Sequence, residues 1–263
     1  MKKIFLTMSL LVLVMMTMAS CLRVKVGENG WSLVNMSGHH NDTPTQVHQV
    51  NSATQMQPFD HLDVAGPFNI ILEQGQESTV RVDGTVDQLG KMTIYVKNGT
   101  LTIDTKEDII NASNFFKGMQ VVVTTPTISN IDIAGSGQVT APNALKDDHI
   151  NLSIAGSGNI TLAELTCQDM KIEIAGSGNV TTGVVQANEV NTEIAGSGDI
   201  DVASLTCKKL SNEIAGSGDI TFNYLNVDQV YSDIAGSGDI YLRGKIGSHK
   251  EDIAGSGKVH INE

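Results

Sequence analysis

Apolar and polar residues alternate along the C-terminal half of the chain, and the alternation recurs at a nearly constant interval. In each interval a polar residue stands between two apolar ones, as in Ile160-Thr161-Leu162 and Ile220-Thr221-Phe222. This strict alternation is typical of a β-strand that buries one face. No interval carries apolar residues at helical spacing over the length of a helix. Each interval therefore predicts two or three short strands joined by turns.

An invariant pentapeptide, Ile-Ala-Gly-Ser-Gly, marks each interval. Its copies begin at Ile133, Ile154, Ile174, Ile194, Ile214, Ile234 and Ile253. Glycine takes positive φ without a Cβ penalty, so we interpret the motif as a sharp structural turn in which Ser stacks on Ser. A nucleophilic role for this Ser is disfavoured, because Gly-x-Ser-x-Gly is not matched and no His or Asp recurs at a partner position. The turn glycines are Gly135, Gly137, Gly156, Gly158, Gly176, Gly178, Gly196, Gly198, Gly216, Gly218, Gly236, Gly238, Gly255 and Gly257.

Stacking of the repeats is required, because one repeat cannot bury its own apolar face. A parallel β-helix meets this requirement and places equivalent residues of neighbouring coils about 4.8 Å apart. A leucine-rich horseshoe has a similar period, but its Leu-x-x-Leu-x-Leu-x-x-Asn pattern is absent. The pattern predicts an all-β solenoid over residues 132–263, with coils of about 20 residues, a period typical of stacked repeats.

Two cysteines test this register. Cys167 and Cys207 occupy the same position in two repeats, and Ala187 holds that position in the repeat between them. Two coils separate the cysteines by roughly 9.6 Å, which exceeds the reach of a disulfide. We expect two free, buried thiols.

Composition explains less than the repeat does, but it excludes some functions. Lys plus Arg number 17 and Asp plus Glu 29, which gives a net charge of −12. A chain without clustered cations has no electrostatic footprint for nucleic acid. Aromatic residues are 4% of the chain, which disfavours an enzyme core anchored on aromatics.

Acidic residues recur on both sides of the motif and would stack into columns. Stacked like charges raise one another's pKa unless they splay into water or share a cation. A row of Ca²⁺ sites is one interpretation, since Ca²⁺ prefers several carboxylate and carbonyl oxygens. A solvated face that aids solubility is the alternative, and we predict no resident metal or other cofactor. The Ca²⁺ candidates are Glu173, Glu193 and Glu213 before the motif, and Asp199, Asp219 and Asp239 after it.

Three tyrosines fall in the last complete repeats, at positions where other copies carry polar or small residues. Tyr224, Tyr231 and Tyr241 are candidates for an exposed patch that stacks on sugars or on a partner protein. Tyrosines scattered over the surface are the alternative.

The N-terminus has the features of an export signal. A cationic start and an apolar stretch over residues 4–18 predict a secretory signal peptide over residues 1–20. Met18-Ala19-Ser20-Cys21 resembles the bacterial lipobox, although Met replaces the usual Leu. Lipidated Cys21 would hold the chain at a membrane by acyl burial, while an ordinary signal peptide with an incidental Cys is the alternative.

The polar segment 21–56 shows neither the helical nor the strand period of apolar residues, which predicts a flexible tether. No acidic residue stands between Cys21 and Glu28, whereas some surface-exported lipoproteins carry acids there. We therefore predict the periplasmic face of the outer membrane, with surface exposure as the alternative.

Residues 57–131 form a further strand-rich region. It contains Phe59-Asp60-His61-Leu62-Asp63-Val64-Ala65-Gly66-Pro67-Phe68-Asn69-Ile70 and a hairpin signal at Asn98-Gly99. Together with Ile131-Asp132-Ile133-Ala134-Gly135-Ser136-Gly137, these segments resemble the auto-transporter adhesin head GIN-domain family of bacterial lipoproteins. The resemblance implies a right-handed single-stranded β-helix with a strand-rich N-terminal part. It implies adhesion, and it brings no catalytic residues.

Three classes of function are consistent with these observations. A non-catalytic adhesive or structural module of the cell envelope fits best, with a glycan or protein ligand that the sequence does not identify. A carbohydrate-active β-helix enzyme of the pectinase kind would need a cleft with clustered acids or a Lys/Arg set, whereas the repeats supply regular columns. An accessory protein in envelope signalling is the third class.

Overall fold

The computed structural model describes residue 47 and residues 49–106 and 109–262. They fall in one compact unit, Thr45–Glu263. The predicted signal peptide, Cys21 and most of the predicted tether lie outside the described residues. Strands dominate, and the helices within the described ranges are short.

Seven strands and two helices precede the first motif. They are β1 (Thr54–Gln55), β2 (His61–Ala65), β3 (Asn69–Gln74), β4 (Thr79–Asp83), α1 (Val86–Gly90), β5 (Met92–Lys97), β6 (Thr100–Thr105), α2 (Ala112–Phe115) and β7 (Gln120–Thr125).

The repeats supply eleven further strands, of which β15 to β17 each run through most of a coil. They are β8 (Asn130–Gly135), β9 (Gln138–Lys146), β10 (His149–Gly156), β11 (Asn159–Thr166), β12 (Asp169–Gly176), β13 (Asn179–Gln186), β14 (Glu189–Gly196), β15 (Asp199–Gly216), β16 (Ile220–Gly236), β17 (Ile240–Gly255) and β18 (Val259–Asn262).

Parallel pairing joins each coil to the next, with the Ile, Ala and first Gly of each motif opposite their own equivalents. Ile154 pairs with Ile174, and Ile174 pairs with Ile194. The same register continues to the last motif. The predicted parallel β-solenoid, with one motif copy in each coil, is therefore confirmed.

Each coil has three short faces. In one coil, residues 159–162 form face A, residues 165–167 face B and residues 169–174 face C. The alternation of buried and exposed residues breaks where two successive residues are exposed, as at Ala163 and Glu164. Such pairs mark corners, and the motif makes the corner between face C and the next face A.

The predicted inward columns form the core. Along face A, Val139, Ile160, Val180, Ile200 and Ile220 are at most 1% exposed. Short branched side chains fill these coils because each coil encloses little space, which agrees with the scarcity of aromatics. The core also contains a polar stretch, in which the Thr192 hydroxyl donates to Oδ1 of Asn212 over 2.8 Å.

The C-terminal end of the stack is open. Ile253 and Ile261 occupy inward positions but are 37% and 43% exposed, because no later coil among the described residues covers them. Gly244, His249 and Glu251 stand in β17 opposite Leu225, Val230 and Ser232, respectively. Polar residues at the inward positions of a terminal coil reduce exposed apolar surface, as expected for the cap of a repeat array.

Both glycines of the motif lie at a close approach of the coils, since a Cβ on Gly196 would also lie 2.2 Å from the carbonyl oxygen of Gly176. The first has positive φ, 142° at Gly196, and forms the turn. The second, exemplified by Gly198, is needed for close approach, since a Cβ there would lie 2.0 Å from the carbonyl oxygen of Gly178. Positive φ therefore distinguishes the first glycine, whereas the close approach requires glycine at both Gly196 and Gly198. The motif Ser is exposed, and its backbone N–H links the coils, as in the 2.8 Å bond from Ser197 to the carbonyl of Gly176.

The strand-rich N-terminal part belongs to the same stack. β2 lies between β8 and β6 and is parallel to both, and β3 lies likewise between β9 and β7. Val64-Ala65 pairs with Ile133-Ala134, and Gly66 has a φ of 133°. Val64-Ala65-Gly66-Pro67-Phe68 is thus an eighth, divergent copy of the motif, with Phe68 where the other copies have the second glycine.

Antiparallel strands and aromatic residues close this end of the solenoid. β4 pairs with β7, β5 with β6 and β1 with β4, all antiparallel. Phe68 is fully buried and packs edge-on against Phe116, with 4.9 Å between ring centroids. Val47 and Met56 are also buried, and β1 lies within residues 21–56. The predicted tether therefore extends too far at its C-terminal end.

Substitution of Gly198 by Ala should destabilise the fold strongly. The new Cβ would overlap the Gly178 carbonyl, and neither backbone can move without breaking the coil register. We expect a loss of about 2–4 kcal/mol in the free energy of unfolding, typical of overpacking in a rigid core. Chemical denaturation measures it. Gly90→Ala is the control, because a Cβ there meets nothing within 4 Å. Equal effects of the two substitutions would contradict the close-approach explanation.

Candidate functional site

Face A carries a regular polar surface. Two outward residues per coil lie on it, and equivalent residues of successive coils are paired in register. A shallow groove runs across four coils of this face. Its lining residues are Gln138, Asn159, Thr161, Asn179, Val180, Thr181, Asp199 and Asp201.

Side chains of one column on face A form a continuous hydrogen-bonded series, which we call the Asn/Asp ladder: Asn159, Asn179, Asp199, Asp219 and Asp239. The amide of Asn179 donates to Oδ1 of Asn159 over 3.0 Å. From Asn179 onward, each Oδ1 accepts the backbone N–H of the next rung, over 2.7–3.1 Å. The ladder therefore fixes each of these side chains against the coil that follows it.

Hydrogen bonds of the ladder explain how three of the Ca²⁺ candidates stack without a bound ion. Asp199, Asp219 and Asp239 each use Oδ1 to bind the next coil. Within the described ranges, no group of three or more His, Cys, Asp or Glu side chains is placed to hold a metal ion.

The other Ca²⁺ candidates stack on the outward side of face C, in what we call the acidic column. Glu173, Glu193 and Glu213 are paired in register. Lys171 lies 2.8 Å from Glu173 and 3.7 Å from Glu193, which partly neutralises that segment. The full column is Asp63, Asp132, Ser153, Glu173, Glu193, Glu213, Asp233 and Asp252.

Burial and mutual repulsion raise the pKa of several carboxyls in this column. Burial, and then the neighbouring Asp63 carboxyl, raise the pKa of Asp132 to about 6. Burial also raises the pKa of Glu193 and of Glu213, and the stacked acids add to it. Oε1 of Glu213 is buried and has no hydrogen-bond partner among the described residues. These carboxyls therefore take up protons at a higher pH than exposed carboxyls do.

The three candidate tyrosines lie on different sides of the coil. Tyr224 is 66% exposed at the corner that ends face A. Tyr231 is on face C, where its hydroxyl lies 3.4 Å from Asp233. Tyr241 is on face A and stacks on His260, with 4.7 Å between ring centroids. They do not form one patch, because the motif corner separates Tyr231 from Tyr241.

Cys167 and Cys207 lie two coils apart, as the stacking register requires, and both are free thiols. Cys207 is buried as predicted, whereas Cys167 is only partly buried. Burial and nearby acids raise the pKa of the Cys167 thiol to about 11, and that of Cys207 to about 12. Both thiols are therefore protonated and unreactive near neutral pH.

Two further features bear on the class of protein. Among the described residues, no His side chain is hydrogen-bonded to a motif Ser, so the motif has the geometry of a turn and not of a nucleophile–base pair. No helix within the described ranges has the length and apolar character needed to cross a bilayer.

Side chains fill the interior of this β-solenoid, and one outer face carries the Asn/Asp ladder. These features are typical of repeat proteins that present an extended surface. The family described as "Putative auto-transporter adhesin, head GIN domain" matches residues 58–224 and 209–263. The chain belongs to this family, as the repeat and the N-terminal segments indicated. Comparison with curated proteins gave no match.

Solved structures show the same fold at low sequence identity. A "putative adhesin" from Bacteroides fragilis is 23% identical, with a TM-score of 0.73 over 80% of this chain and 95% of its own. A "putative lipid binding protein" from Parabacteroides distasonis is 20% identical, with a TM-score of 0.66 over 85% and 98%. A "putative adhesin" from Parabacteroides merdae is 16% identical, with a TM-score of 0.61 over 85% and 98%.

Asp132→Asn should stabilise the protein at neutral pH. The raised pKa means that the folded state binds a proton more tightly than the unfolded state does. The stabilisation from that proton is complete below the unfolded pKa of about 4 and is lost as pH rises through about 6. Asn keeps a donor and removes the charge, so we expect a gain of about 1–3 kcal/mol at pH 7 and little change at pH 4.

Thermal melts of Asp132→Asn and wild type at both pH values measure this effect. Glu189→Gln is the control of opposite sign, because Lys209 lowers the pKa of that carboxyl. A melting temperature for Asp132→Asn at or below that of wild type at pH 7 would refute the explanation that the charge on buried Asp132 destabilises the fold.

Alkylation followed by mass spectrometry tests the thiols. We expect Cys207 of the native protein to react with iodoacetamide about 100-fold or more slowly than in denaturant at the same pH, because little thiolate is present. Cys167 should react faster than Cys207, since it is less buried. A Cys167–Cys207 bridge in native protein would disprove the stacking register.

Proposed function

We propose that the protein is a non-catalytic binding module of the cell envelope that presents its rigid solenoid as an adhesive surface. Face A carries this proposal, because its polar side chains are fixed in register over at least four coils by the Asn/Asp ladder. A surface that is ordered before it meets its ligand loses little conformational entropy on binding. Membership of a family described as putative adhesins supports the same role.

The anchor in this proposal is the acyl chain on Cys21. The lipobox-like segment and the signal peptide before it support lipidation, and the absence of acids between Cys21 and Glu28 favours the periplasmic face of the outer membrane. The segment between the anchor and the folded unit would give the solenoid reach from the membrane.

An enzymatic role of the pectinase kind has weaker support. Its acids would have to cluster around one bond, whereas Asp199, Asp219 and Asp239 recur once per coil and are bound to the next coil, and Oδ1 of Asp201 accepts from the side chain of Asn223. Binding of a lipid inside the coils has no support either, because inward residues such as Ile160, Leu162 and Ile172 are at most 1% exposed. A lipid would have to bind on the outer surface.

Co-sedimentation with insoluble envelope polymers tests the proposal. Lipoprotein extracted from membranes in non-ionic detergent should sediment with the delipidated envelope fraction and release no reducing sugar from it. Binding without turnover follows from a fixed surface that lacks a cleft with clustered acids. Release of sugar would establish an enzyme, and failure to sediment with any envelope fraction would contradict a binding module.

A further inference from the structure

We infer that face A binds a neutral polysaccharide in extended conformation, with the sugar chain lying along the solenoid axis. This inference rests on the proposed function as a binding module and names its ligand class and its site. The central binding residues are Thr161, Thr181, Asp199 and Asp201, which line the groove together with Asn159 and Asn179.

The spacing of polar groups on face A suits a polymer of sugars. Successive rungs lie about 4.8 Å apart, which is close to the length that one pyranose ring adds to an extended chain. Each rung offers one ladder side chain and one outward neighbour two residues further on, as Asn179 and Thr181 do. A chain of repeating units can therefore make the same contacts on every coil.

Hydrogen-bonding capacity remains free on this face. Oδ1 of Asp199 and Asp219 accepts a backbone N–H of the next coil, whereas no described residue donates to the Oδ2 atoms. The hydroxyls of Thr161 and Thr181 likewise have no partner among the described residues. Carboxylate oxygens accept from sugar hydroxyls, and charge-assisted bonds of this kind are stronger than neutral ones. The ladder holds these acceptors in place before the ligand arrives.

The charge along face A favours a neutral ligand. The column begins with Gln138, Asn159 and Asn179, which carry no charge, and Asp199 follows them with Asp201 beside it. An anionic chain would be repelled by these aspartates. A cationic chain would pair with these aspartates but would find no opposite charge on Gln138, Asn159 and Asn179, whereas a neutral chain finds hydrogen-bonding partners along the whole groove. Hydroxyl groups pair with amides and carboxylates alike.

Affinity electrophoresis of the detergent-extracted lipoprotein tests this inference. The probes are hydroxyethyl cellulose, galactomannan and laminarin as neutral polymers and polygalacturonate as an anionic one. We expect retardation by at least one neutral polymer and none by polygalacturonate. Thr161→Arg combined with Thr181→Arg should raise the Kd for the retarding polymer about tenfold or more, because two long side chains fill the groove.

The variant leaves the ladder intact, and its column already holds Tyr241 and His260, so larger residues fit there. Gln186→Arg combined with Thr206→Arg is the matched control, since both positions are exposed on face B. Matching melting temperatures confirm that both variants fold, and the control should bind as wild type does.

Three results would overturn the inference: no retardation by any neutral polymer, retardation by polygalacturonate alone, or equal loss of binding in both variants. Sedimentation with the envelope fraction distinguishes a failure of this inference from a failure of the proposed function. If the Thr161→Arg, Thr181→Arg variant still sediments as wild type does, the binding module stands and face A is not its site.

Discussion

The distance between successive coils at the Gly-Ser-Gly corner is the constraint on which the rest of the structure depends. At this corner the backbones approach so closely that a Cβ on Gly218 would lie 2.0 Å from the Gly198 carbonyl. Only glycine fits, and the motif is repeated because the same approach occurs at every coil. The glycines at this contact also fix the register, since a shift by one residue would bring a Cβ into the contact.

A fixed register turns sequence positions into columns. Apolar residues stack inward and fill the coil. Polar residues stack outward, where each lies next to a similar residue of the neighbouring coil. In the Asn/Asp ladder these side chains bind the backbone of the next coil and so stabilise the stack. The acidic column instead keeps its carboxyls close together, and burial with the neighbouring Asp63 carboxyl raises the pKa of Asp132 to about 6. The two columns are chemically similar in sequence, yet one is an ordered hydrogen-bonded surface and the other a stack of acids with raised pKa values.

Much of the fold could be predicted from the sequence, because the repeat gives both the strand period and the stacking register. The eighth motif copy at Val64–Phe68 was harder to recognise, since a long insertion separates it from Ile133 and it falls outside the regular spacing of the other copies. The match of Ala65-Gly66 to the motif, followed by the strand around Ile70, was the available signal. The ladder could not be predicted, because the sequence does not show which oxygen meets a backbone N–H. Nor could the separation of Tyr231 from Tyr241, which depends on where the coil turns.

Mapping of backbone amide shifts by NMR during titration with a neutral oligosaccharide tests the central claim most directly. The account predicts that perturbed residues lie along the face A strand segments of successive coils, around Thr161, Thr181 and Asp201. Perturbations confined to face C or to the open C-terminal coil would contradict it.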